Sequence, residues 1–386
     1  MRKSDLKVVV VGGGIGGLSA ACALRRQGIE AHVYEQAPEI GEVGAGVALS
    51  PNSHRLLRRL GLGEQIEEYG GQITLGSFYF RPDGRDAAAL PNARRTPTDV
   101  SYGILRTDLV SMFTGILPSE ALHTGHKCIG FEQDPDSARV TFANGEIVEA
   151  DVVIGADGIH SVLQHFVGEQ PPPVFSGSVA YRGIVSADPL PDWPVNKSLM
   201  WLGDGKHFLV YPVRQGRKLN YVAFVPASDE MKESWSAPGD RDQLAREFEG
   251  WDPRIGSLID QVESTFQWGL YDREPRARWS KGRLTLLGDA AHPMLPHRGQ
   301  GANQSIDDGF ALAAILRQLD APVEQMLARY QDVRLERTSR IQIASRETGR
   351  RFDSQYDDLD ERDAELNASA SFRAWIRDHD AELIGV

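Results

Sequence analysis

The chain has 386 residues, and its 54 acidic against 42 basic side chains give a formal net charge of −12 without a block of like charge. This balance argues against nucleic acid or an anionic membrane as a partner. The 41% hydrophobic and 25% charged residues are typical of a globular protein, and no apolar run approaches the roughly 18 residues that span a bilayer. Two cysteines without metal-ligand spacing and an opening without a signal-like segment predict a reduced, cytoplasmic protein with no metal site.

The stretch "LKVVVVGGGIGGLSAACALRRQGIEAHVYEQ" (6–36) predicts a βαβ unit: a buried strand, a glycine turn, a helix and a second strand. Gly12, Gly14 and Gly17 form the pattern G-x-G-x-x-G, in which missing Cβ atoms let a pyrophosphate approach the backbone and the helix N-terminus. Glu35 closes the second strand, where a carboxylate accepts hydrogen bonds from a ribose diol. These residues predict a dinucleotide site and leave NAD and FAD both open.

The remaining elements alternate between two kinds of pattern. Alternating apolar and polar positions between 174 and 225 predict an antiparallel sheet, whereas buried apolar runs before and after it predict parallel strands. In chain order the pattern predicts a helix over 50–62, an irregular excursion over 73–100, a helix over 106–117, an Asn-Gly hairpin before a strand at 151–155, the antiparallel sheet, helices near 241–249 and 254–263, a strand over 282–291, and helices from 301 onward.

This order predicts an α/β (α+β) protein in which a substrate-binding domain is inserted into a discontinuous nucleotide-binding domain. The predicted nucleotide-binding segments are 1–72, 101–172 and 268–345, the substrate-binding segments are 73–100 and 173–267, and the C-terminal helical segment is 346–386.

Two further motifs, "DVVIGADGIHS" (151–161) and "RLTLLGDAAHPMLP" (283–296), occur together with the glycine turn. With them the chain resembles the single-component (group A) FAD-dependent aromatic hydroxylases from residue 7 to about residue 350. The resemblance implies non-covalent FAD in a glutathione-reductase-like Rossmann domain, an inserted antiparallel-sheet substrate domain and C-terminal helices. It also implies NADH or NADPH and O₂ as co-substrates.

The same resemblance assigns residues to the cofactor. Asp289 would accept hydrogen bonds from the ribityl hydroxyls, Arg106 would lie near the phosphates or the ribityl chain, and Asp157 would lie where the pyrophosphate and the nicotinamide meet the protein. One departure is Gln164, which stands where the family usually carries an arginine, and it leaves the docking of the nicotinamide open. The residues implied at the isoalloxazine ring are Gly299, Gln300, Gly301 and Ala302.

Within the family the chain most resembles the salicylate hydroxylase group, through stretches such as "GEVGAGVALSPN" (41–52), "AYRGIV" (180–185) and "ETGRRFD" (347–353). The resemblance implies hydroxylation of a small hydroxylated aromatic acid through a flavin C4a-hydroperoxide. A salicylate-like substrate would lose CO₂ and give catechol.

The alternatives left open are 3-hydroxybenzoate, 6-hydroxynicotinate or a larger heteroaromatic or polycyclic metabolite, and, in another class, a flavin oxidase that inserts no oxygen. Ala48 counts against 6-hydroxynicotinate, because a histidine is expected there in such an enzyme. The expected assembly is a monomer or a homodimer.

The substrate side needs a base or hydrogen bond beside the phenol, because the phenolate is the reactive form. His207 and Tyr211 lie four residues apart, on one face of a predicted strand, and are the catalytic candidates. Arg182 and Arg214 are candidates for binding a substrate carboxylate, because arginine pairs with carboxylates in a bidentate manner. The remaining candidates for the substrate pocket, on the loop beside the flavin, are Met294 and His297.

Overall fold

The computed structural model describes residues 6–41, 45–90, 99–203, 205–227, 237–318, 320–354, 356, 358–368 and 370–383. The strands are β1 (Lys7–Val11), β2 (Glu30–Tyr34), β3 (Gly46–Leu49), β4 (Gly71–Ile73), β5 (Ser77–Phe80), β6 (Asp86–Leu90), β7 (Ser101–Leu105), β8 (Leu122–His123), β9 (Cys128–Gln133), β10 (Ala138–Phe142), β11 (Ile147–Ala150), β12 (Val152–Gly155), β13 (Val174–Ser186), β14 (Ser198–Gly203), β15 (Lys206–Val213), β16 (Lys218–Pro226), β17 (Phe266–Asp272), β18 (Ser280–Lys281) and β19 (Leu284–Leu286). The α-helices are α1 (Ile15–Arg26), α2 (Pro51–Arg59), α3 (Gly63–Tyr69), α4 (Arg106–Ile116), α5 (Gln164–Val167), α6 (Arg241–Glu247), α7 (Pro253–Ile259), α8 (Gly301–Gln318), α9 (Val323–Phe352), α10 (Leu359–Ala368) and α11 (Ala370–Arg377).

A six-stranded sheet, in the order β18-β19-β12-β1-β2-β8, forms the centre of the nucleotide-binding part. β1 pairs in parallel with β2 and β12, and β12 pairs in parallel with β19. Val8–Val11 is buried throughout, as expected for a central strand that is covered on both faces. The predicted βαβ unit and the predicted strands near 151–155 and 282–291 are therefore confirmed.

The second large sheet has seven strands in the order β17-β13-β16-β15-β14-β5-β6. Its four central strands are the alternating segments predicted between 174 and 225, and they pair antiparallel. The prediction of an irregular excursion over 73–100 is wrong for 77–90, because β5 and β6 extend this sheet and β5 pairs in parallel with β14. The part of that excursion at 91–98 lies outside the described residues.

Two of the predicted segment boundaries fall inside regular elements. β17 crosses the boundary at 267/268 and pairs with β13, so the whole strand belongs to the seven-stranded sheet. α9 is continuous across the boundary at 345/346. The sequence pattern alone carries no information about the partner of a strand or the length of a packed helix.

Two three-stranded sheets complete the strand pairing. The order β11-β10-β9 contains the predicted Asn-Gly hairpin, and the order β3-β7-β4 lies next to the edge of the cavity described below. Cys22 and Cys128 are both buried free thiols. Across the ranges given above, no helix has the length and apolarity needed to cross a bilayer, and no group of three or more His, Cys, Asp or Glu side chains is placed to hold a metal ion.

Helices α1 and α8 approach each other closely enough that small residues are required between them. A Cβ atom on Gly309 of α8 would lie 2.8 Å from Ala20 Cα and 2.9 Å from Ala20 N. At the start of α1, a Cβ atom on Gly16 would lie 2.8 Å from Leu287 Cδ2 and 3.3 Å from Ser305 Cβ. The contact therefore fixes the N-termini of the two helices side by side.

We expect Gly309→Ala to lower the free energy of unfolding by about 1–3 kcal/mol, because the new methyl group would press on backbone atoms of Ala20 that cannot move alone. The matched control is Gly115→Ala in α4, at an exposed position where a Cβ atom meets nothing within 4 Å. There alanine should stabilise the protein by about 0.5–1 kcal/mol through its higher helix propensity.

Chemical denaturation of both variants measures whether Gly309→Ala lowers the free energy of unfolding and Gly115→Ala raises it. A stability of Gly309→Ala equal to that of Gly115→Ala would show that the helices can separate freely and that their contact is not a constraint on the fold.

Candidate active site

A cavity of about 490 Å³ lies between the two large sheets, and the loop before α8, the end of α9 and the C-terminal helices contribute to its lining. Its wall combines residues of the glycine turn, the strand β3, the loop at 293–302 and the facing strands of the seven-stranded sheet. The cavity therefore joins the nucleotide-binding part of the chain to the predicted substrate side.

The glycine turn is shaped so that only glycine fits at its first and last motif positions. Gly12 has a φ of +113°, and a Cβ atom on it would lie 2.2 Å from the Ala156 carbonyl oxygen. A Cβ atom on Gly17 would lie 2.0 Å from the Gly12 carbonyl oxygen. Gly14 is the N-cap of α1, whose first turn contains no acidic residue. The free N–H groups and the helix dipole at this end suit a pyrophosphate.

Glu35 lies beside this turn at the end of β2. Its Oε2 accepts a hydrogen bond from Gly13 N at 2.6 Å, and its Oε1 accepts one from Ala37 N at 2.9 Å. These two bonds fix the carboxylate next to the phosphate position, and each oxygen keeps acceptor capacity for a ribose hydroxyl. The turn and Glu35 thus fit the adenosine and pyrophosphate parts of FAD.

Arg106 and Asp289 both line the cavity and lie close enough for their charges to interact. Arg106 begins α4, and its backbone N–H donates to the Ala45 carbonyl at 2.8 Å. Burial lowers the pKa of the Arg106 guanidinium, and the negative charge of Asp289 opposes that shift. The structure therefore brings together the two residues assigned to the middle of the cofactor.

The loop before α8 places backbone groups at the cavity. Gly299 is left-handed, with φ +59°, and ends the short 3₁₀ turn Pro296–Arg298. Gly301 begins α8, so the N-terminus of this long helix faces the cavity. The residues assigned to the isoalloxazine ring all line it: Gly299, Gln300, Gly301 and Ala302.

Asn303 is a site residue that the sequence analysis missed. It is fully buried, its Nδ2 donates to the carbonyls of Ala48 and Gly299 at 2.8 Å each, and its Oδ1 accepts from Ser50 N at 2.9 Å. It therefore joins β3 to the loop on both sides of the predicted ring position. The available signal was an amide side chain in the first turn of α8, directly after the glycines of the loop.

Asp157 forms hydrogen bonds within its own loop. Its Oδ2 accepts hydrogen bonds from Val162 N at 2.8 Å and Leu163 N at 3.5 Å, and burial raises the pKa of its carboxyl group. Its neighbours Ala156 and Gly158 line the cavity, whereas Asp157 itself does not. The Asp157 carboxylate thus stabilises the loop that leads to Leu163. Contact of Asp157 with a dinucleotide stays a prediction.

On the substrate side, Tyr211 and Arg182 line the cavity as expected, and so do Met294 and His297. Arg182 lies over the Trp268 ring, with its Cζ 4.9 Å from the ring centroid. Burial and the nearby charge of Arg106 lower the pKa of Arg182 to about 10. Burial also raises the pKa of the Tyr211 hydroxyl, against the effect of the Arg182 charge.

His207 and Arg214 are not brought to the cavity. His207 is fully buried, its Nδ1 lies 2.8 Å from Asp353 Oδ1, and its ring stacks on Phe224 at 4.1 Å between centroids. Arg214 pairs with Asp108, with 2.5 Å between Nη2 and Oδ1. The geometry therefore does not support direct substrate contact by either side chain.

Fold and site together define a flavoprotein hydroxylase. The chain belongs to the family of FAD-dependent aromatic hydroxylases, and the family model described as "FAD binding domain" matches residues 5–344. Several relatives that match most of the chain are named for hydroxylated aromatic acids as their substrates.

Individual relatives match over nearly the whole chain. The 3-amino-4-hydroxybenzoate 2-monooxygenase of Streptomyces platensis is 38% identical over 390 residues, which cover 98% of this chain and 97% of the relative. The salicylate hydroxylase of Pseudomonas putida is 34% identical, with 99% and 94% covered. A solved salicylate hydroxylase substrate complex has a TM-score of 0.84 at 27% identity and covers 98% of this chain and 97% of that one.

We expect His297→Asn to reduce the acid sensitivity of the fold. Burial, with a further contribution from His207, lowers the pKa of His297 to about 3. The unfolded imidazole binds a proton near pH 6.5, so between pH 6.5 and 3 the unfolded chain holds a proton that the folded chain lacks. The free energy of unfolding therefore decreases as the pH is lowered through this range. The His297→Asn variant has no imidazole at this position and lacks this decrease.

Denaturation curves at pH 7 and pH 5 measure the effect. The wild type should lose about 1–2 kcal/mol more than the variant between these pH values. Equal losses would contradict a neutral, buried His297.

Proposed function

We propose that this enzyme hydroxylates a small hydroxylated aromatic acid, with NADH or NADPH as the reductant and O₂ as the oxygen source. The observation that carries the proposal is one continuous cavity, which has Arg106, Asp289 and the start of α8 at one part and Tyr211 at another. When bound, FAD supplies the redox chemistry, because it accepts a hydride from the nicotinamide and activates O₂. The relatives named above support an aromatic acid as substrate.

Tyr211 and Arg182 are the residues proposed to act on the phenol. Because burial raises the pKa of Tyr211, its hydroxyl stays protonated at neutral pH and can donate a hydrogen bond to the substrate oxygen. Arg182 adds a positive charge close to that hydroxyl. Both effects favour the phenolate over the phenol, and the phenolate is the form that reacts with electrophilic oxygen.

The apolar cavity wall strengthens the electrostatic interactions of Tyr211 and Arg182 with the substrate. Met294, Val222 and Phe224 line the cavity beside Tyr211, so a ring held there excludes water, and electrostatic interactions are less screened. His207 is proposed as a positioning residue, because its ring stacks on Phe224 and lies 5.4 Å from that of His297. It would hold these two wall residues in place through its pairing with Asp353.

The direct test is a panel of salicylate, 3-hydroxybenzoate, 3-amino-4-hydroxybenzoate and 6-hydroxynicotinate with the FAD-loaded enzyme under ¹⁸O₂. At least one acid should accelerate NADH or NADPH oxidation and yield a product with one labelled oxygen. Attack at a carboxylate-bearing carbon would also release CO₂ and give catechol, the outcome expected for a salicylate-like substrate. Stimulated oxidation that yields only peroxide and unlabelled product would favour the flavin oxidase alternative.

We expect Tyr211→Phe to lower kcat by about 100-fold, because it removes the hydrogen bond to the phenol oxygen without removing the ring. FAD content should not change, since Tyr211 is on the substrate side. The matched control is Tyr221→Phe, in the core formed with Leu244 and Phe248, which should retain wild-type turnover. Wild-type kcat in Tyr211→Phe would exclude this role, and steady-state kinetics with the best acid of the panel measures it.

A further inference from the structure

One end of the cavity carries arginines from the C-terminal third of the chain. Arg298, Arg373 and Arg377 all line the cavity, and we call these three residues the arginine end. Arg351 also lines this region, but it is paired with Glu365, with 2.7 Å between Nε and Oε2. Such a concentration of positive charge stands out in a chain with a net charge of −12.

The arginine end contains arginines without an acidic partner among the described residues, although the charges of Asp99 and Asp378 act on Arg377. In the part of the chain that the structure describes, neither Arg298 nor Arg373 forms an ion pair with an acid. Arg298 Nε donates to the Ala344 carbonyl at 3.0 Å, and Arg373 Nη2 donates to Ser77 Oγ at 3.4 Å. Arg373 Nη1 is buried without a hydrogen-bond partner among those residues, and so is Arg377 Nη2. Buried guanidinium N–H groups in this state are costly unless a ligand accepts their hydrogen bonds.

Neighbouring charges point the same way. Burial, the charge of Arg351 and the charge of Arg373 together lower the pKa of Arg298 to about 10, although Tyr79 and Glu347 oppose the shift. The arginines therefore repel one another in the absence of a ligand. A bound anion would relieve this repulsion, and the planar fork of arginine suits a carboxylate.

The strand register connects this end to Tyr211. Leu199 pairs with Val210, which puts Ser198 opposite Tyr211, and Ser198 pairs with Ser77 on the next strand. Tyr211, Ser198 and Ser77 therefore form one row across β15, β14 and β5, and all three line the cavity. Neighbouring strands lie about 4.8 Å apart, so about 10 Å of sheet separates the backbone at Tyr211 from the backbone at Ser77, where Arg373 binds.

A second, mostly apolar row runs parallel to the first. Met200 pairs with Leu209 on one side and with Tyr79 on the other, two residues along each strand from the first row. These three side chains also line the cavity. The floor of the cavity thus offers a mostly apolar surface for a ring between Tyr211 and the arginine end.

Resting on the function proposed above, we propose that Arg373 and Arg298 bind the carboxylate of the aromatic acid while Tyr211 binds its hydroxyl group. This orientation favours a hydroxyl para to the carboxylate. A salicylate-like substrate carries the two groups on neighbouring ring carbons, so we expect it to engage both ends of the row less well. The arginine end would therefore select the position of the hydroxyl as well as the charge of the substrate.

The test measures binding to the FAD-loaded enzyme through the perturbation of flavin absorbance, with 4-hydroxybenzoate, its neutral amide and salicylate as probes. The wild type should bind 4-hydroxybenzoate more tightly than either other probe. Arg373→Gln and Arg298→Gln should each weaken 4-hydroxybenzoate binding by about 10- to 100-fold and change amide binding by less than about threefold. The thermal midpoint of Arg373→Gln should equal or exceed that of the wild type, because a like charge has been removed. Arg298→Gln also loses the stacking of Arg298 on the Phe372 ring, 4.7 Å from Cζ to the centroid.

Arg340→Gln is the matched control. Arg340 stacks on Phe372 and Trp375 of α11, the helix that carries Arg373, but it is exposed and does not line the cavity. It should bind all three probes like the wild type. Equal weakening in this control would trace the effect to the docking of α11 and overturn the proposal.

Two other results would also overturn it. One is a wild type without preference for the acid over the amide, and the other is acid binding that depends on Arg182 and not on Arg373 or Arg298. Arginine-dependent acid binding without ¹⁸O in any product would instead support the binding site and contradict the proposed hydroxylation, so the two failures are distinguishable.

Discussion

The close approach of α1 and α8 is the constraint on which the site depends. α1 begins at the glycine turn beside Glu35, and α8 begins at the loop beside Asp289, so their contact at Gly309 sets the distance between the two ends of the cofactor site. A buried ionic network then fixes the loop. Asp308 of α8 accepts from Gly288 N at 3.0 Å and from Arg334 of α9 at 2.7 Å. Removing one partner of such a network leaves a buried charge uncompensated, so its members depend on one another.

The cofactor half could be predicted because its determinants are local in sequence. A strand, a turn with a fixed glycine spacing and a helix are specified within 6–36, and the carboxylate that follows is placed by the end of β2. Asp289 and Gly299–Ala302 are likewise neighbours in one short loop. Residues that are close together in such a motif are also close together in the structure. The motif therefore predicts most of the geometry of this part of the site. Asn303 escaped because its function is to join this loop to β3, which is distant in sequence.

The substrate half was predicted less well, because it depends on which strands pair and on what covers them. The period of two correctly placed His207 on the same face as Tyr211, but it does not say which part of that face is covered. The end of α9 packs over the start of β15, so His207 meets Phe352 and Asp353 there. Arg214 directly follows β15. Its ion pair is with Asp108 of α4, which lies 106 positions earlier in the chain. Strands β5 and β6 were missed for the same reason.

The cofactor half and the substrate half of the site differ in how readily their residues can be substituted. The cofactor end combines the side chains of Glu35, Arg106 and Asp289 with backbone groups and glycines. Substitution of the glycines would bring atoms into contact with other backbone atoms, as at Gly12 and Gly17. The far end is built from side chains of β5, β14 and α11, which approach the cavity from outside the parallel sheet. A change of Arg373, Ser77 or Ser198 there alters charge and shape in the cavity without moving α1 or α8, whereas Arg298 lies in the loop directly before α8. The fold therefore allows the side chains at the far end of the cavity to change while the residues that hold FAD stay the same.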